Sequence, residues 1–596
     1  MEIGDWRFGE YRQSTPGWWQ RLTVADGLLL LIGIAAAILR LTNLSSLPLS
    51  PTEAEAALGV WQLWQPGVTA VSIHSPAYFT LTALLTQILG DGDAIMRLVP
   101  ALFGVGIVFL PWLLRKRLGQ IGMLVTSLLL AVSPLGTAAA RTASGDSMAL
   151  FALLLLFAAW LRYEDSTGAV GTETGDTRWL YVAMSALALG LTSSHLFYGG
   201  LITLLLAWRW NLSFEPSLFG LYDETWPRWE VWRKTAVFGL IVFLALASMF
   251  LWNLPGLGGA AALLGDWLRA FTLRGSAVQD WLNPFLTLAR YETVLATAGL
   301  LAVFWALWQN KAMATFSLLW MALLLPLLLL QRYDAGNVLL LTLPGYLLLG
   351  VLAETAVSDL HDWLSWLFTV GLLLMFALIF VNVARFARVV LYDVQNLDNV
   401  WLALFAFAFT AVTVYFLWTW DERAAYQGIV IATLAFFVFY QWGNAWWLGH
   451  LAANDVRERW VTTPATDDDV PMLIATIHQI SNQATGDDFG VEIFSSVDTP
   501  VLRWYLRQFP NLHIGQAIPT SAQAGIIITP DAANPILGSD YFGTDFGLLR
   551  SGVQPESVTN LTPMIDTLRW WLFRESRAQI AEERVVLWVR ADLIRS

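Results

Sequence analysis

Residues Leu47 to Phe79 read LPLSPTEAEAALGVWQLWQPGVTAVSIHSPAYF. The stretch carries two acids, Glu53 and Glu55, and then His74 in front of Ser75-Pro76. No Lys or Arg occurs anywhere from Leu41 to Met96. Loops on the cytoplasmic side of a membrane are enriched in Lys and Arg, so a long loop without them predicts the opposite face. The apolar run Val24–Leu41 immediately before it is long enough to be the span that brings the chain there. The reading of this loop therefore sets the topology of everything that follows.

The composition agrees with a membrane protein. Of 596 residues, 56% are hydrophobic and 13% charged, against about 25% charged in soluble domains, and the mean hydropathy is +0.56. A net charge of −12 excludes a nucleic-acid partner. The absence of cysteine excludes disulfides and thiolate metal sites. The 32 tryptophans suit belts at the membrane–water interface. Residues 1–23 are polar and contain Arg7, Arg12 and Arg21, which predicts a cytoplasmic N-terminus. No small-residue cleavage site follows the first span, so it is expected to remain as an anchor.

Working outward from the loop, we predict a polytopic α-helical protein of the plasma membrane with about thirteen spans. Within the loop 42–94, Ala54–Trp64 and Pro76–Leu89 read as juxtamembrane helices, the second too short to cross. Spans are then expected at Ala94–Leu114, ending on the basic cluster Arg115-Lys116-Arg117, and at Ile121–Ala140, Ser147–Leu161, Trp179–Ser194, Leu196–Trp208 and Ala236–Asn253. The last six are Thr293–Trp308, Met313–Leu330, Val338–Ala353, Trp363–Ala384, Trp401–Trp420 and Ala425–Leu448. After His450 the chain turns polar. Residues 451–596 mix strand-like runs (Val491–Phe494, Gly525–Thr529, Arg584–Val589) with helix-like ones (Met472–Gln483, Pro563–Phe573). They are expected to form a small extracytoplasmic α/β domain beyond the membrane domain of residues 24–450.

This topology gathers ionisable side chains at the outer ends of spans: Glu53/Glu55, His74, Arg141/Asp146 and Arg332-Tyr333. Carboxylates there can accept a proton from an attacking hydroxyl, and cations can hold a phosphate that leaves. Each residue also has a plainer role. Glu53 and Glu55 suit the start of a helix after Ser50-Pro51-Thr52, Asp146 suits a cap on the following span, and the arginines suit interface anchors. His195 at an outer turn reads as structural.

The ordered motifs resemble the GT-C class of integral-membrane glycosyltransferases. The nearest branch is that of the protein O-mannosyltransferases and the lipid A aminoarabinose transferase. An acidic pair after the first span is matched by Thr52-Glu53-Ala54, and a His-x-Pro motif by His74-Ser75-Pro76. The helix start of that branch is matched by Arg97-Leu98-Val99-Pro100-Ala101-Leu102-Phe103-Gly104. Ser133-Pro134, Arg141 and Asp146 follow in order, then Arg332-Tyr333 and Pro344. The agreement covers residues 24–165, and more loosely runs to 350.

The resemblance implies an inverting, polyprenyl-phosphate-dependent hexosyltransferase. Its donor would be a lipid-linked sugar met at the membrane, and its acceptor a glycan, lipid or protein. Glu53, Glu55 and Asp146 would be catalytic, with His74, Arg97, Arg141, Arg332 and Tyr333 binding substrate. No cofactor is implied and no zinc site is present, while a magnesium or manganese ion on Glu53, Asp146 and phosphate stays open. Thr52 departs from the pattern by standing where the family has an acid. A lipid-linked-sugar flippase and a non-catalytic assembly scaffold are the competing readings. In the C-terminal domain the segment Asp498–Arg507 and the run Val585–Asp592 resemble a GT-C subgroup labelled flippase-associated. Trp504 and Tyr505 there are open either to sugar stacking or, more commonly, to packing.

Overall fold

The computed structural model describes residues 23–594 except 69, 72, 167–175, 220–226, 272–277, 333, 359–362, 390–397, 462–463, 516–523, 532–536, 553–567 and 576–578. Arg7, Arg12, Arg21 and Tyr333 lie outside the described residues. Helix α1 (Val24–Leu41) starts on a reciprocal cap between Thr23 and Asp26, which satisfies amide donors that the first turn leaves over. Leu29, Gly33, Ala36, Leu39 and Arg40 form its buried stripe. Leu30, Leu31, Ile34 and Ile38 face outward, as lipid-exposed positions must. The juxtamembrane helices α2 (Pro51–Leu63) and α3 (Pro76–Leu89) both begin with proline, whose missing N–H costs nothing there. Helix α4 (Asp93–Gly106) passes through a tighter turn at Ile107–Leu114, around Pro111, into α5 (Arg115–Leu118).

The segment Ile121–Ala140, expected as one continuous span, is broken. Helices α6 (Gln120–Ala131) and α7 (Pro134–Arg141) meet at 54°. Pro134 has no N–H for the Leu130 carbonyl, and the Leu135 N–H turns away to Glu292 (3.2 Å). Two carbonyls are thus released inside the bundle. Arg40 answers both, donating to Leu130 (2.7 Å) and Ala131 (2.8 Å). Exposed backbone groups cannot be left unpaired in hydrocarbon, so the buried arginine and the break imply one another.

Helices α8 (Asp146–Ser166), α9 (Arg178–Ser193), α10 (Leu196–Asn211), α11 (Trp229–Ala247) and α12 (Gly256–Arg269) follow. The predicted span ending at Asn253 stops at Ala247, because Met249, Phe250 and Leu251 take positive φ angles. The Asn253 side chain then pairs with both backbone groups of Val71 (3.1 and 3.0 Å) and pins the loop before His74. Helices α13 (Val278–Tyr291) and α14 (Thr293–Trp308) meet at a second sharp bend of 103°.

Both breaks converge on Glu292, which is fully buried. Its carboxylate accepts from Ser133 Oγ (2.6 Å), the Leu135 amide, Gln441 Nε2 (3.1 Å) and the Tyr346 hydroxyl. The remaining long helices are α15 (Ala312–Leu330), α16 (Gly336–Val357), α17 (Trp363–Val389), α18 (Asp398–Trp420) and α19 (Glu422–Trp446). Helix α16 is buried from Asn337 to Ala353, whereas α17 and α18 leave most of their surface outside the bundle. Each of the thirteen segments expected as spans overlaps a helix, but Ile121–Ala140 is split in two and Ala236–Asn253 is helical only to Ala247. Among the described residues eight helices are long and apolar enough to cross a membrane, or ten when each bent pair counts once.

Beyond α19 the chain builds a six-stranded sheet in the order β1-β5-β6-β4-β2-β3. Its strands are β1 (Ala465–Thr466), β2 (Ile493–Ser495), β3 (Leu512–Ile514), β4 (Ile526–Pro530), β5 (Tyr541–Gly552) and β6 (Ile580–Arg590). The pairs β3–β2 and β2–β4 are parallel; the other pairs are antiparallel. Val585, Leu587 and Val589 alternate inward along β6, giving the period of two that marks a half-buried strand. Helices α20 (Val470–Thr485) and α21 (Pro500–Tyr505) complete this part. Its hydrophobic cluster does not stop at the sheet. It runs through Trp504 and Leu502 into Leu49, Ala54, Ala57 and Leu58 on the α2 side.

Candidate active site

The capping geometry of α2 places Glu53 first. Ser50 caps the helix, and Glu53 returns the bond to the Ser50 amide (2.9 Å). The same carboxylate is gripped by Arg97 of α4 through two parallel bonds, Nε to Oε1 at 2.9 Å and Nη2 to Oε2 at 2.7 Å. It also accepts the Ala143 amide at 2.8 Å. Arg97 spends its other protons on the carbonyls of Leu44, Leu47 and Pro48 (2.9, 2.8 and 3.1 Å). Burial favours the neutral acid, but the Arg97 guanidinium and the Ser50 and Ala143 amides outweigh it. The Glu53 carboxyl is thus held below the usual range. A carboxylate with every acceptor position occupied is poorly placed to take a further proton. Glu53 fixes the loop.

Arg141 closes α7 and gathers the loose end of α1. Its Nε donates to the Gly449 carbonyl (2.6 Å), and its Nη atoms to those of Thr42 (2.6 Å) and Asn43 (3.1 Å). Among the described residues no carboxylate pairs with it. Asp146 opens α8 and accepts from the hydroxyls of Ser194 (2.6 Å) and Ser144 (3.2 Å). No described cation pairs with Asp146.

Gly145 permits the Asp146–Ser194 approach, because a Cβ there would lie 1.9 Å from the Ser193 carbonyl. The Ser75 hydroxyl donates to that same carbonyl, so the His74-Ser75-Pro76 motif is tied through Ser75 to the end of α9. Gly145→Ala must push α8 off the end of α9. We expect it to cost about 1–3 kcal/mol by overpacking, measured as a fall in thermal stability in lipid nanodiscs.

His195, at the turn between α9 and α10, contacts Asp334 before α16 (Nε2 to Oδ2, 2.7 Å). The Gly336 amide holds the other Asp334 oxygen at 2.9 Å. Burial would lower the histidine's pKa. The bond to Asp334, together with the charges of Asp334, Asp146 and Asp266, raises it above the ordinary 6.5. A raised folded-state pKa gives stability that is fully present below the unfolded value and is lost as pH climbs through the folded one. We expect the wild-type melting temperature to decline above about pH 6.5, relative to Asp334→Asn, which removes this contribution. Parallel melting curves for the two proteins across that range would contradict the pairing.

Glu53, Arg97, Arg141, Asp146, His195 and Asp334 all line one cavity of about 570 Å³, which Thr52, Arg459 and Trp460 also border. Of the residues expected from sequence, Glu53, Arg97, Arg141 and Asp146 come together here. Glu55 and His74 are exposed, and Arg332 is buried with its guanidinium 4.4 Å from the Trp281 ring. None of these three lines the cavity. Sequence reasoning missed the His195–Asp334 pair, Ser194 and Arg459. Arg459 donates from Nη1 to Asn283 Oδ1 (2.9 Å) and sits at the start of the C-terminal part. Asp334 follows Arg332-Tyr333 directly, and this adjacency was the signal available. No described group of three acidic or histidine side chains is arranged to hold a metal ion.

A multi-pass helical bundle with two sharply bent helix pairs, juxtamembrane helices and an ionisable cavity beside a small α/β part together make the architecture of the GT-C fold of integral-membrane glycosyltransferases. Residues 73–222 match the family model described as dolichyl-phosphate-mannose-protein mannosyltransferase, a range that holds Arg97, Arg141, Asp146 and His195. The fold is similar to that of ArnT from Cupriavidus metallidurans in the apo state. The TM-score is 0.53 at 14% identity, over 96% of this chain and 99% of that one. ArnT from the same organism bound to undecaprenyl phosphate gives 0.50 at 14% identity, over 97% and 99%. The apo oligosaccharyltransferase of Archaeoglobus fulgidus gives 0.41 at 12% identity, over 85% and 66%. No curated protein sequence matches the chain significantly.

Proposed function

We propose that this protein transfers a sugar from a polyprenyl-phosphate donor to a hydroxyl-bearing acceptor at the extracytoplasmic face, with inversion at the anomeric carbon. One observation carries the reading. A carboxylate with no paired cation (Asp146) and a guanidinium with no paired carboxylate (Arg141) line the same cavity among the described residues. The GT-C fold and the binding of undecaprenyl phosphate by a structural neighbour support a lipid-linked donor. The extracytoplasmic assignment rests on the Lys- and Arg-free stretch from Leu41 to Met96 at the cavity end of α4, with Arg115-Lys116-Arg117 at the far end of that span.

In this reading Asp146 accepts the proton of the acceptor hydroxyl as its oxygen attacks the anomeric carbon. The bond from that carbon to the phosphate oxygen breaks, and the electron pair leaves with the phosphate. Arg141 and Arg459 face the negative charge that develops there. Ser144 and Ser194 orient the base, and the Glu53–Arg97 pair holds the loop that forms the cavity's floor. Glycan, lipid and protein acceptors all satisfy this chemistry.

The test is transfer by the purified full-length protein in lipid nanodiscs, with short-chain polyprenyl-phosphate sugars, with and without EDTA. Product formed in both conditions supports the reading as written. Product abolished by EDTA replaces the metal-independent mechanism with one in which a divalent ion joins Asp146. Tight binding of lipid-linked sugar with no transfer from any donor would instead favour a flippase or an assembly scaffold.

A further inference from the structure

The segment Asp498–Arg507 lies outside the cavity, yet it touches both elements that create the Glu53–Arg97 pair. Its helix, α21, packs on α2, which carries Glu53. Trp504 and Tyr505 both reach Asp93 in the first turn of α4, the helix that carries Arg97 one turn later. Trp504 Nε1 donates to Asp93 Oδ1 at 2.8 Å, and the Tyr505 hydroxyl donates to Oδ2 at 2.7 Å. The same Tyr505 oxygen accepts the Leu49 amide at 2.9 Å. The Leu49 carbonyl accepts the Thr466 hydroxyl of β1 at 2.6 Å. Arg507 stacks 3.6 Å from the Trp504 ring and donates to the Asp91 side chain and carbonyl (3.3 and 3.0 Å).

Trp504 is fully buried and so cannot offer a face to a sugar. The phenol of Tyr505 is committed at both its proton and its lone pair. Of the two roles left open by the sequence, the contacts favour packing over sugar stacking, with the polar tips acting as braces.

We propose that the C-terminal domain is a working part of the transfer site, with Tyr505 as its positioning residue. By bridging Asp93 and the Leu49 amide, Tyr505 fixes residues 47–50 against the start of α4. Ser50 caps α2 three residues before Glu53, and the Leu47 and Pro48 carbonyls are acceptors of Arg97. One phenolic oxygen therefore stands behind the loop, the cap and the ion pair at once. Tyr505→Phe keeps the ring and removes only this bridge. Thr466→Val removes the second hold on Leu49 without changing side-chain shape.

The proposal's kinetic consequence rests on the transferase reading, but its structural test does not. Hydrogen–deuterium exchange of the full-length protein in nanodiscs should show the amides of residues 47–53 exchanging about tenfold faster in Tyr505→Phe. Thr466→Val should act in the same place to a smaller degree. Arg503→Ala, on the exposed face of the same helix, should leave those amides unchanged. Unaltered exchange at 47–53 in both Tyr505→Phe and Thr466→Val would overturn the proposal, whether or not transfer is ever detected. So would an increase spread evenly over the whole C-terminal domain. In a transfer assay, Tyr505→Phe should lower kcat by about tenfold at nearly constant donor KM, since small displacements of a positioned group reach that size. A change confined to KM would overturn it as well.

Discussion

Asp146→Asn is expected to lower the rate of glycosyl transfer by about two to four orders of magnitude, the range that a positioned general base contributes. The amide keeps the shape of the carboxylate and can still accept the Ser194 hydroxyl, so the cavity should survive the change. The measurement is single-turnover transfer with a short-chain donor, beside melting temperatures of both proteins. A wild-type rate in Asp146→Asn would remove Asp146 from the mechanism. If the rate collapsed together with the melting temperature, the aspartate would be a structural cap and not a base. Glu55→Gln serves as the comparison. Its carboxylate is exposed outside the cavity, and transfer should be unaffected.

Arg97→Met should be among the most destabilising single changes available, at about 3–5 kcal/mol, because it leaves the Glu53 charge buried without its partner. The side chains of the pair are 10% and 5% exposed, so water cannot replace what is lost. Three loop carbonyls lose their donor at the same time. Glu53→Gln should cost less, since the amide oxygen still accepts from one of the two backbone amides, Ser50 or Ala143, and Arg97 keeps its three loop carbonyls. The double variant should cost clearly less than the sum of the two single ones, as expected for residues in direct contact. Thermal or denaturant unfolding in a defined detergent provides the three numbers. Additive losses would mean that the bonds between Glu53 and Arg97 contribute little.

These two expectations divide roles that the sequence left together. Glu53 was legible as a candidate because it sits in an acid-bearing loop without Lys or Arg, and Asp146 because it opens a span. Nothing local shows that Arg97, on another helix, turns towards Glu53, and without that partner the two acids look equivalent. The juxtamembrane helices were legible because a proline start and a short apolar run are local signals. The break at Ser133-Pro134 was only half legible. Proline warns of a bend, but whether a helix stops depends on who answers the freed carbonyls, and Arg40 lies on a helix far away in sequence.

His195 was read as a structural turn residue for a similar reason. Its meaning comes from Asp334, which arrives on a loop after several more helices. In the C-terminal part the strands β2, β4 and β6 were visible as strand-like apolar runs. Strand β5 was not, since its first part, Tyr541–Asp545, is largely exposed and carries Gly543 where a packed strand would carry a branched residue.

The junction at Glu292 also bears on how the chain is made. Synthesis delivers Ser133 and Leu135 first, then the acid, and only later Tyr346 and Gln441. During that interval the nascent bundle holds a carboxyl group whose partner set is incomplete, and a buried polar group without its hydrogen bonds is costly. Helix α14 therefore has reason to stay beside the insertion machinery until α16 and α19 emerge. A chain that ends before Gln441 lacks one of the four donors that hold this acid.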